Sequence, residues 1–196
     1  WYILDCEKPA SLIIGHHAKT KEQLAQMIEE DKWSELLREV PVEKGDFIPI
    51  EPGTVHAIKG GCLIFETQQN SDVTYRLYDY GRLSNGKPRE LHLGKSMDVI
   101  QVPAKETDQC IVSAGALPKN QMHQLLDCAY FTIFKIETEG EAKLEQAYPF
   151  LAVSVLEGSG WIENQPIKKG DHFILPSSYG TFCLKGDMML MASTKR

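Results

Sequence analysis

The feature of the sequence that most constrains the fold is a short pattern that occurs twice. Residues 44–48 (KGDFI) and 169–174 (KGDHFI) each precede a Gly-Thr pair, at 53–54 and at 180–181. Each copy turns at Gly-Asp, continues as an apolar strand and turns again after a proline. Because more than one hundred residues separate the copies, they are not solenoid repeats, whose periods are about 20 to 50 residues. The pattern therefore predicts two tandem β domains.

Short apolar segments bounded by Gly and Pro follow one another along most of the chain. HAIKGGCLIFETQQ, TYRLYDY, DCAYFTIFKIET and FLAVSVLEGSG have the spacing of strands in an all-β sandwich or barrel. At the start of the chain, WYILDC and ASLIIGHH predict the two strands of a hairpin around Pro9. We therefore expect a mainly β protein built from tandem β-barrels.

Residues 20–40 differ from this pattern, because their apolar positions are spaced as on a helix. Thr20 is the expected N-cap, Gln23 completes a capping box, and Pro41 ends the pattern. This predicts a short helical insertion or a helix pair. LGKSMDVIQV fits either a strand or a short helix, and we favour the helix. We expect the first domain to span residues 1–100, including the insertion, and the second to span 101–196.

The charge and composition of the chain argue against two classes of partner. The 196 residues carry a formal net charge of −6 and no block of Lys and Arg, so no nucleic-acid surface is expected. No apolar segment is long enough to span a membrane, and no signal-peptide pattern occurs. The five cysteines form no CxxC pair, which is typical of reduced, mostly inert thiols in a cytoplasmic protein.

The segment EPGTVHA places His56 directly after a Pro-Gly turn and before an apolar segment. The spacing of Gly, Pro, Gly and His resembles the second signature motif of the cupin family, whose histidine binds a metal inside a small β-barrel. A neutral imidazole on a rigid strand is a good zinc or iron ligand, although a buried core histidine is the alternative. In the second copy of the repeat, Cys183 stands where the first has His56, so we expect the second domain to be metal-free.

A more specific resemblance extends from Trp1 to Arg196. PGTVHA, ETQQNSDVTYRLYDY, PRELH, VLEGSG and KKGDHFILP resemble the small bacterial type I mannose-6-phosphate isomerases. The resemblance implies tandem cupin barrels of jelly-roll type. It also implies a zinc-dependent aldose-ketose isomerase that interconverts mannose 6-phosphate and fructose 6-phosphate through an enediol, with a small sugar phosphate as its partner. The oligomeric state is left open.

The resemblance implies that His56 is one zinc ligand of a larger set. The family's other ligands belong to a Gln-x-His-Pro motif and a Lys-Thr-Glu motif, and this sequence begins just after the point where that glutamate would stand. The chain opens on WYILD without an initiator Met, so we expect it to be the C-terminal portion of a longer protein. A catalytic zinc needs about three protein ligands, and we expect this chain to be inactive alone.

Three further residues are predicted to serve the site. Arg76 matches the family's catalytic arginine, and a fixed guanidinium stabilises oxyanion charge or binds phosphate; the alternative is a salt bridge to Asp72 or Asp79. Glu66 could shuttle a proton, or orient a ligand. Arg82 could bind the sugar phosphate, or lie solvated in a loop. The identity of the proton-transfer base is left open.

The other histidines have less weight as site residues. His16 and His17 are neighbours on a strand, so at most one points inward. We expect His92 to lie away from the hairpin, His123 to be solvent exposed, and His172 to be a hydrogen-bonded structural residue.

Two other classes of function compete with the isomerase. One is a non-catalytic, sugar-binding or regulatory cupin module. The other, a cupin iron dioxygenase or epimerase, would need two histidines and a carboxylate close together, and no His-x-His with a following Glu occurs.

Overall fold

The computed structural model describes residues 1–71, 73–114 and 117–195. The chain divides into two compact units, Trp1–Val112 and Ser113–Arg196. We had expected the division after residue 100, but the following segment packs on the first unit. The carbonyl of Gln101 lies 2.9 Å from His16 Nε2, and Cys110 belongs to the apolar core of that unit.

The first unit contains short strands interrupted by helices. In chain order its elements are β1 (Tyr2–Cys6), β2 (Ser11–His16), α1 (Lys21–Glu29), α2 (Trp33–Leu36), β3 (Leu37–Pro41), β4 (Asp46–Phe47), β5 (His56–Ala57), β6 (Cys62–Phe65), β7 (Leu83–Ser84), β8 (Lys87–Pro88), α3 (Leu93–Val99), a 3-10 turn at Thr107–Gln109 and β9 (Val112–Ser113).

The strands of the first unit form two main sheets, and β1 and β2 lie in different ones. One sheet has the order β6-β1-β4-β9 and the other β3-β2-β5. The predicted hairpin of β1 and β2 is therefore wrong. Side chains from both sheets, including Ile3, Leu12 and Ile14, meet in one buried core. Alternating apolar residues could not distinguish a hairpin from two facing sheets. In both arrangements every second side chain of the strand points into the core.

The helical insertion is confirmed, with one change at its start. Thr20 Oγ1 accepts a hydrogen bond of 3.1 Å from the Gln23 N–H, as an N-cap should. Gln23 Oε1 accepts from the N–H of Lys19, at 2.7 Å, so the reciprocal bond of the capping box is displaced by one residue. Leu24 and Leu36 are fully buried and anchor α1 and α2. The insertion ends before residue 40, because β3 begins at Leu37.

The predicted strand TYRLYDY is not formed, whereas α3 confirms the helix favoured for LGKSMDVIQV. The described residues between β6 and β7 have no regular strand. The Arg76 carbonyl does accept a hydrogen bond of 2.8 Å from the His92 N–H. The Arg76 N–H, however, donates to the His92 ring at Nδ1, over 3.1 Å. A side chain therefore takes the place of the backbone carbonyl that a ladder needs.

The second unit is almost entirely strand. Its elements are β10 (Gln121–Asp127), β11 (Phe131–Thr138), β12 (Glu141–Gln146), β13 (Phe150–Ile162), β14 (Gln165–Lys168), β15 (His172–Pro176) and β16 (Gly180–Lys195).

The long strands β13 and β16 organise the second unit. Their sheet has the order β10-β11-β16-β13-β14, with β12 paired to β16 and β15 paired to β13. Leu151, Leu184 and Leu190 are buried in the core of this unit. The VLEGSG motif permits the close approach of the two long strands, because a Cβ at Gly158 would lie 2.0 Å from the Asp187 carbonyl oxygen.

Both copies of the repeated pattern form the same turn. Gly45 and Gly170 have φ values of 96° and 90°, a region that favours glycine. The carboxylates of Asp46 and Asp171 each accept a hydrogen bond of 2.8 Å from the backbone N–H three residues earlier. The sequence repeat therefore corresponds to a repeated local structure, and the mainly β class is confirmed. Among the described residues, no helix is both long and apolar enough to cross a membrane.

His16 makes the stability of the first unit depend on pH. Its side chain is 3% exposed, and burial lowers its pKa; Arg38 and His17 act in the same direction, while the bond to Gln101 opposes them. The unfolded chain binds a proton near the ordinary pKa of 6.5, but the folded unit does so only at lower pH. The free energy of unfolding should therefore fall as the pH falls below that value, by at most about 1.4 kcal/mol per pH unit.

This dependence is measured by urea unfolding at about pH 7.5 and about pH 5.5. His16→Gln should reduce the loss of stability on acidification, whereas His17→Gln, at an exposed neighbour whose charge is the smallest cause of the shift, should change that loss much less. Equal acid sensitivity in the parent and in His16→Gln would contradict the assignment.

Candidate functional site

His56 lies exposed at the start of β5, with one ring nitrogen held by the backbone. The strand pairs His56 with Ile14 of β2, and the preceding turn has Gly53 at a φ of 84°. His56 Nδ1 lies 2.7 Å from the Thr54 carbonyl oxygen. Because a carbonyl only accepts hydrogen bonds, Nδ1 carries the proton and donates it. The lone pair of the neutral ring is therefore on Nε2, which is the arrangement of a metal-ligating histidine.

Trp1 packs on one side of His56, and Glu66 lies near Trp1. The Trp1 and His56 rings meet edge to face, with centroids 5.3 Å apart and planes at 71°. Tyr2, the residue after Trp1, is paired with Phe65, the residue before Glu66. The structure thus places the His56 ring against Trp1, and Glu66 directly after the strand residue that pairs with Tyr2.

Arg76 is held by the segment that enters α3. The Arg76 carbonyl accepts a hydrogen bond from the His92 backbone N–H, and the Arg76 N–H donates one to Nδ1 of the His92 ring. Its guanidinium donates from Nη1 to the Glu90 carbonyl over 3.1 Å. The side chain is half-buried. Three separate bonds therefore fix the position of Arg76, although it lies in an irregular segment.

A carboxylate, Asp79, lies among three arginines. Arg89 binds it with two guanidinium nitrogens, Nε at 2.6 Å from Oδ2 and Nη2 on Oδ1. This bond to Arg89 lowers the pKa of Asp79 most, and the charges of Arg76 and Arg82 lower it further. The bidentate partner of Asp79 is thus Arg89 and not Arg76. Asp72, the other predicted partner of Arg76, lies outside the described residues.

Arg82 is exposed and packs on an aromatic ring. Its Cζ atom lies 5.4 Å from the centre of the Tyr80 ring, and its backbone N–H donates to the Asp79 carbonyl. Partial burial raises the pKa of Tyr80, while the charges of Arg82 and Lys59 oppose the rise. Lys59 follows His56 by three residues and pairs with Glu39 at 2.8 Å. The geometry thus links Tyr80 to Arg82, and the charge of Lys59 also acts on Tyr80.

The described residues supply one good metal ligand and no complete site. Within residues 1–71, 73–114 and 117–195, no group of three or more His, Cys, Asp or Glu side chains could hold a metal ion. His56 fits the role of a single imidazole ligand because the residue is exposed and its Nδ1–H···O bond leaves the lone pair on Nε2. Cys183, its counterpart in the repeat, has a thiol pKa raised by burial and by Glu141, which disfavours the thiolate that binds metals.

The remaining histidines lie in ordinary surroundings. His16 is buried and His17 exposed, so only one of the pair points inward, as expected. His123, expected to be solvent exposed, lies half-buried within β10, with Nε2 2.6 Å from the Pro118 carbonyl. His172 Nδ1 lies 2.8 Å from Ser154 Oγ. His92 was expected to be remote from the site but supports Arg76 directly.

Three site residues were missed in the sequence. Trp1 was considered only as part of a strand, Asp79 only as an alternative partner of Arg76, and Arg89 not at all. The only signal for Arg89 is that it lies in PRELH, one of the motifs of the resemblance. The spacing between Asp79 and Arg89 has no periodicity, because the hairpin β7–β8 lies between them.

The chain is similar to known isomerases along almost its whole length. Residues 121–195 match the family model of the mannose-6-phosphate isomerase cupin domain. The chain is 50% identical to mannose-6-phosphate isomerase ManA of Bacillus subtilis, over 95% of this chain and 60% of that protein. It is 40% identical to the mannose-6-phosphate isomerase of Streptococcus mutans, over 98% of this chain and 62% of that protein.

A solved structure agrees with these relatives. The crystal structure of a mannose 6-phosphate isomerase from Bacillus subtilis superimposes with a TM-score of 0.83 at 40% identity, covering 99% of this chain and 63% of that chain. The expected cupin fold is thereby confirmed. The chain spans about three fifths of the length of the curated relatives it matches. By sequence and by fold, the chain is similar to the mannose-6-phosphate isomerases, and residues 121–195 match the family model of their cupin domain.

Proposed function

We propose that the protein is a zinc-dependent isomerase that interconverts mannose 6-phosphate and fructose 6-phosphate, and that this chain carries part of its catalytic site. The names of its relatives support the reaction. The observation that carries the zinc proposal is the hydrogen bond from His56 Nδ1 to the Thr54 carbonyl, 2.7 Å long, which presents Nε2 as a ligand. A cytoplasmic location, as expected from the sequence, remains part of the proposal.

The zinc, when bound, would polarise an oxygen of the open-chain sugar as a Lewis acid. His56 is the ligand that this chain contributes. Catalytic zinc sites have about three protein ligands and one open position, so the remaining ligands must come from outside the described residues. Trp1 packs against the His56 ring and would keep it in one orientation.

The reaction moves a proton between C1 and C2 of the sugar through an enediol. Negative charge develops on the substrate oxygens as the proton leaves carbon. Arg76 would stabilise that charge, because its guanidinium is anchored to the Glu90 carbonyl and needs little reorganisation. Glu66, exposed beside Trp1, is the carboxylate that would carry the proton.

The phosphate of the sugar would bind the exposed Arg82. The carboxylate of Asp79 is already paired with Arg89 through two hydrogen bonds. Arg76 and Arg82 act on Asp79 only as more distant charges. The Arg82 guanidinium, and the Arg76 nitrogens other than the Nη1 bonded to Glu90, could therefore bind a phosphate or an oxyanion, to which a guanidinium donates two parallel bonds.

A non-catalytic sugar-binding module is the second candidate. It is favoured by one observation, that His56 has no set of partner ligands among the described residues. Such a module would bind mannose 6-phosphate without zinc and without turnover. The isomerase and the module are therefore separated by metal content and activity in a protein that includes the rest of the family's length.

The 196-residue chain alone should bind less than one zinc ion per molecule and should not isomerise mannose 6-phosphate. The reason is that one histidine cannot hold a catalytic zinc tightly. Elemental analysis after dialysis, together with a coupled assay for fructose 6-phosphate, measures both quantities. One tightly bound zinc ion per chain, with turnover, would contradict this division of the site.

In a protein completed with the remaining part of its Bacillus subtilis relative, Arg76→Ala should lower kcat by about 100- to 1,000-fold. The zinc content should stay unchanged, because Arg76 is not a ligand. Lys87→Ala, at an exposed position of β8, is the control and should keep full activity. Equal loss of zinc and activity in Arg76→Ala would mean that the arginine is structural.

The ring protons of His56 and His123 should lie on different nitrogens. His56 donates from Nδ1 to a carbonyl, whereas His123 donates from Nε2 to the Pro118 carbonyl. Long-range proton–nitrogen NMR spectra of the neutral rings distinguish these tautomers, and His56→Gln and His123→Gln assign the signals. A His56 ring protonated on Nε2 would remove the basis for its role as a ligand.

A further inference from the structure

Two cysteines lie directly opposite each other on neighbouring strands of the first unit. The antiparallel register of β1 and β6 pairs Cys6 with Cys62. One step along, the Glu7 N–H donates to the Gly61 carbonyl over 2.9 Å. Since hydrogen-bonded and non-hydrogen-bonded pairs alternate, Cys6 and Cys62 form a non-hydrogen-bonded pair, with Cα atoms about 4.5 Å apart. That separation lies within the range of disulfides, about 4.4 to 6.8 Å.

The two side chains share one face of the sheet. Both are partly buried and pack against the apolar core that contains Ile3. Both are free thiols in the structure. Burial raises the pKa of Cys62, and the nearby Cys6 adds to the rise, so the two sulfurs are close enough to influence each other. The pair is therefore aligned for a bond that requires no change of strand register.

The other three cysteines lack such a partner. Cys110 is buried, with its sulfur 3.2 Å from the Glu106 carbonyl and 3.5 Å from Arg38 Nη2. Cys128 and Cys183 belong to the second unit, at the end of β10 and within β16. Cys183 is paired across the strands with Lys143. Among the described strand registers, the pairing of Cys6 with Cys62 is the one that joins two cysteines.

We propose that Cys6 and Cys62 form a reversible disulfide that fastens β1 to β6 under oxidising conditions. With a small disulfide such as oxidised glutathione, one cysteine thiolate attacks a glutathione sulfur, and one glutathione thiolate leaves. The second cysteine thiolate then attacks the protein sulfur of the mixed disulfide and releases the second glutathione. The two thiol protons pass to the two released glutathiones, so the protein is oxidised by two electrons and one glutathione disulfide is reduced.

The cross-link would join the strand that follows Trp1 to the strand that precedes Glu66. β1 follows Trp1, which contacts the His56 ring, and β6 leads into Glu66. Because the bond retains the existing register, it should stabilise the first unit rather than distort it. It restricts the unfolded chain between residues 6 and 62, which is the main source of disulfide stabilisation in the chain-entropy model.

The test is incubation of the folded 196-residue chain in a series of mixtures of reduced and oxidised glutathione, without denaturant. After free thiols are blocked, peptide mass spectrometry should find a peptide linked between Cys6 and Cys62, lighter than the two reduced peptides by two hydrogen atoms. Cys6→Ser and Cys62→Ser should each abolish the linked peptide. Cys128→Ser, at a cysteine of the second unit, should retain it.

Thermal unfolding supplies an independent readout. Oxidation should raise the unfolding midpoint of the first unit by about 5 °C or more, and dithiothreitol should reverse the shift. Neither serine variant should show the rise. Glutathione adducts on separate cysteines without the linked peptide, or links that involve Cys110, Cys128 or Cys183 instead, would overturn the proposal.

Discussion

The packing of β1 against β2 across one apolar core determines where the residues of the first unit's site lie. Ile3 from one sheet meets Leu12 and Ile14 from the other. This contact brings Trp1, at the end of the first sheet, onto the ring of His56 in the second. The Pro-Gly turn sets only the local direction of β5, and the facing sheet supplies the surface on which the imidazole rests.

Much of the fold could be predicted from the sequence because its signals are local. The repeated Lys-Gly-Asp turn needs a glycine with positive φ. It also needs an aspartate whose carboxylate accepts a hydrogen bond from the backbone N–H three residues earlier, and both features can be recognised in a short segment. The Thr20 cap is equally local. Which strands pair is not local, because the alternation of apolar residues in β1 and β2 is satisfied by a hairpin or by two facing sheets.

The site was predictable only in part, for the same reason. His56 follows from a turn motif, and Arg76 from the resemblance to a family. The partners of Arg76 are 14 and 16 residues away in sequence, and Asp79 is paired across a hairpin with Arg89. Such contacts depend on an irregular segment whose course no periodicity predicts. The two copies of the repeat differ at the second residue after the Gly-Thr pair. The first unit has the exposed imidazole of His56 there, and the second has Cys183, whose raised pKa favours the protonated thiol.

The anchoring of Arg76 has a consequence for the order in which the chain acquires its structure. The arginine makes its three hydrogen bonds with Glu90 and His92, which follow it in the chain and lie just before α3. The groups that anchor residue 76 therefore become available only after Glu90 and His92 have been synthesised, although the neighbouring Leu77 packs with Leu24 and Leu36, which precede it. The arginine proposed for catalysis is thus held in place by residues that follow it in the chain, just before α3.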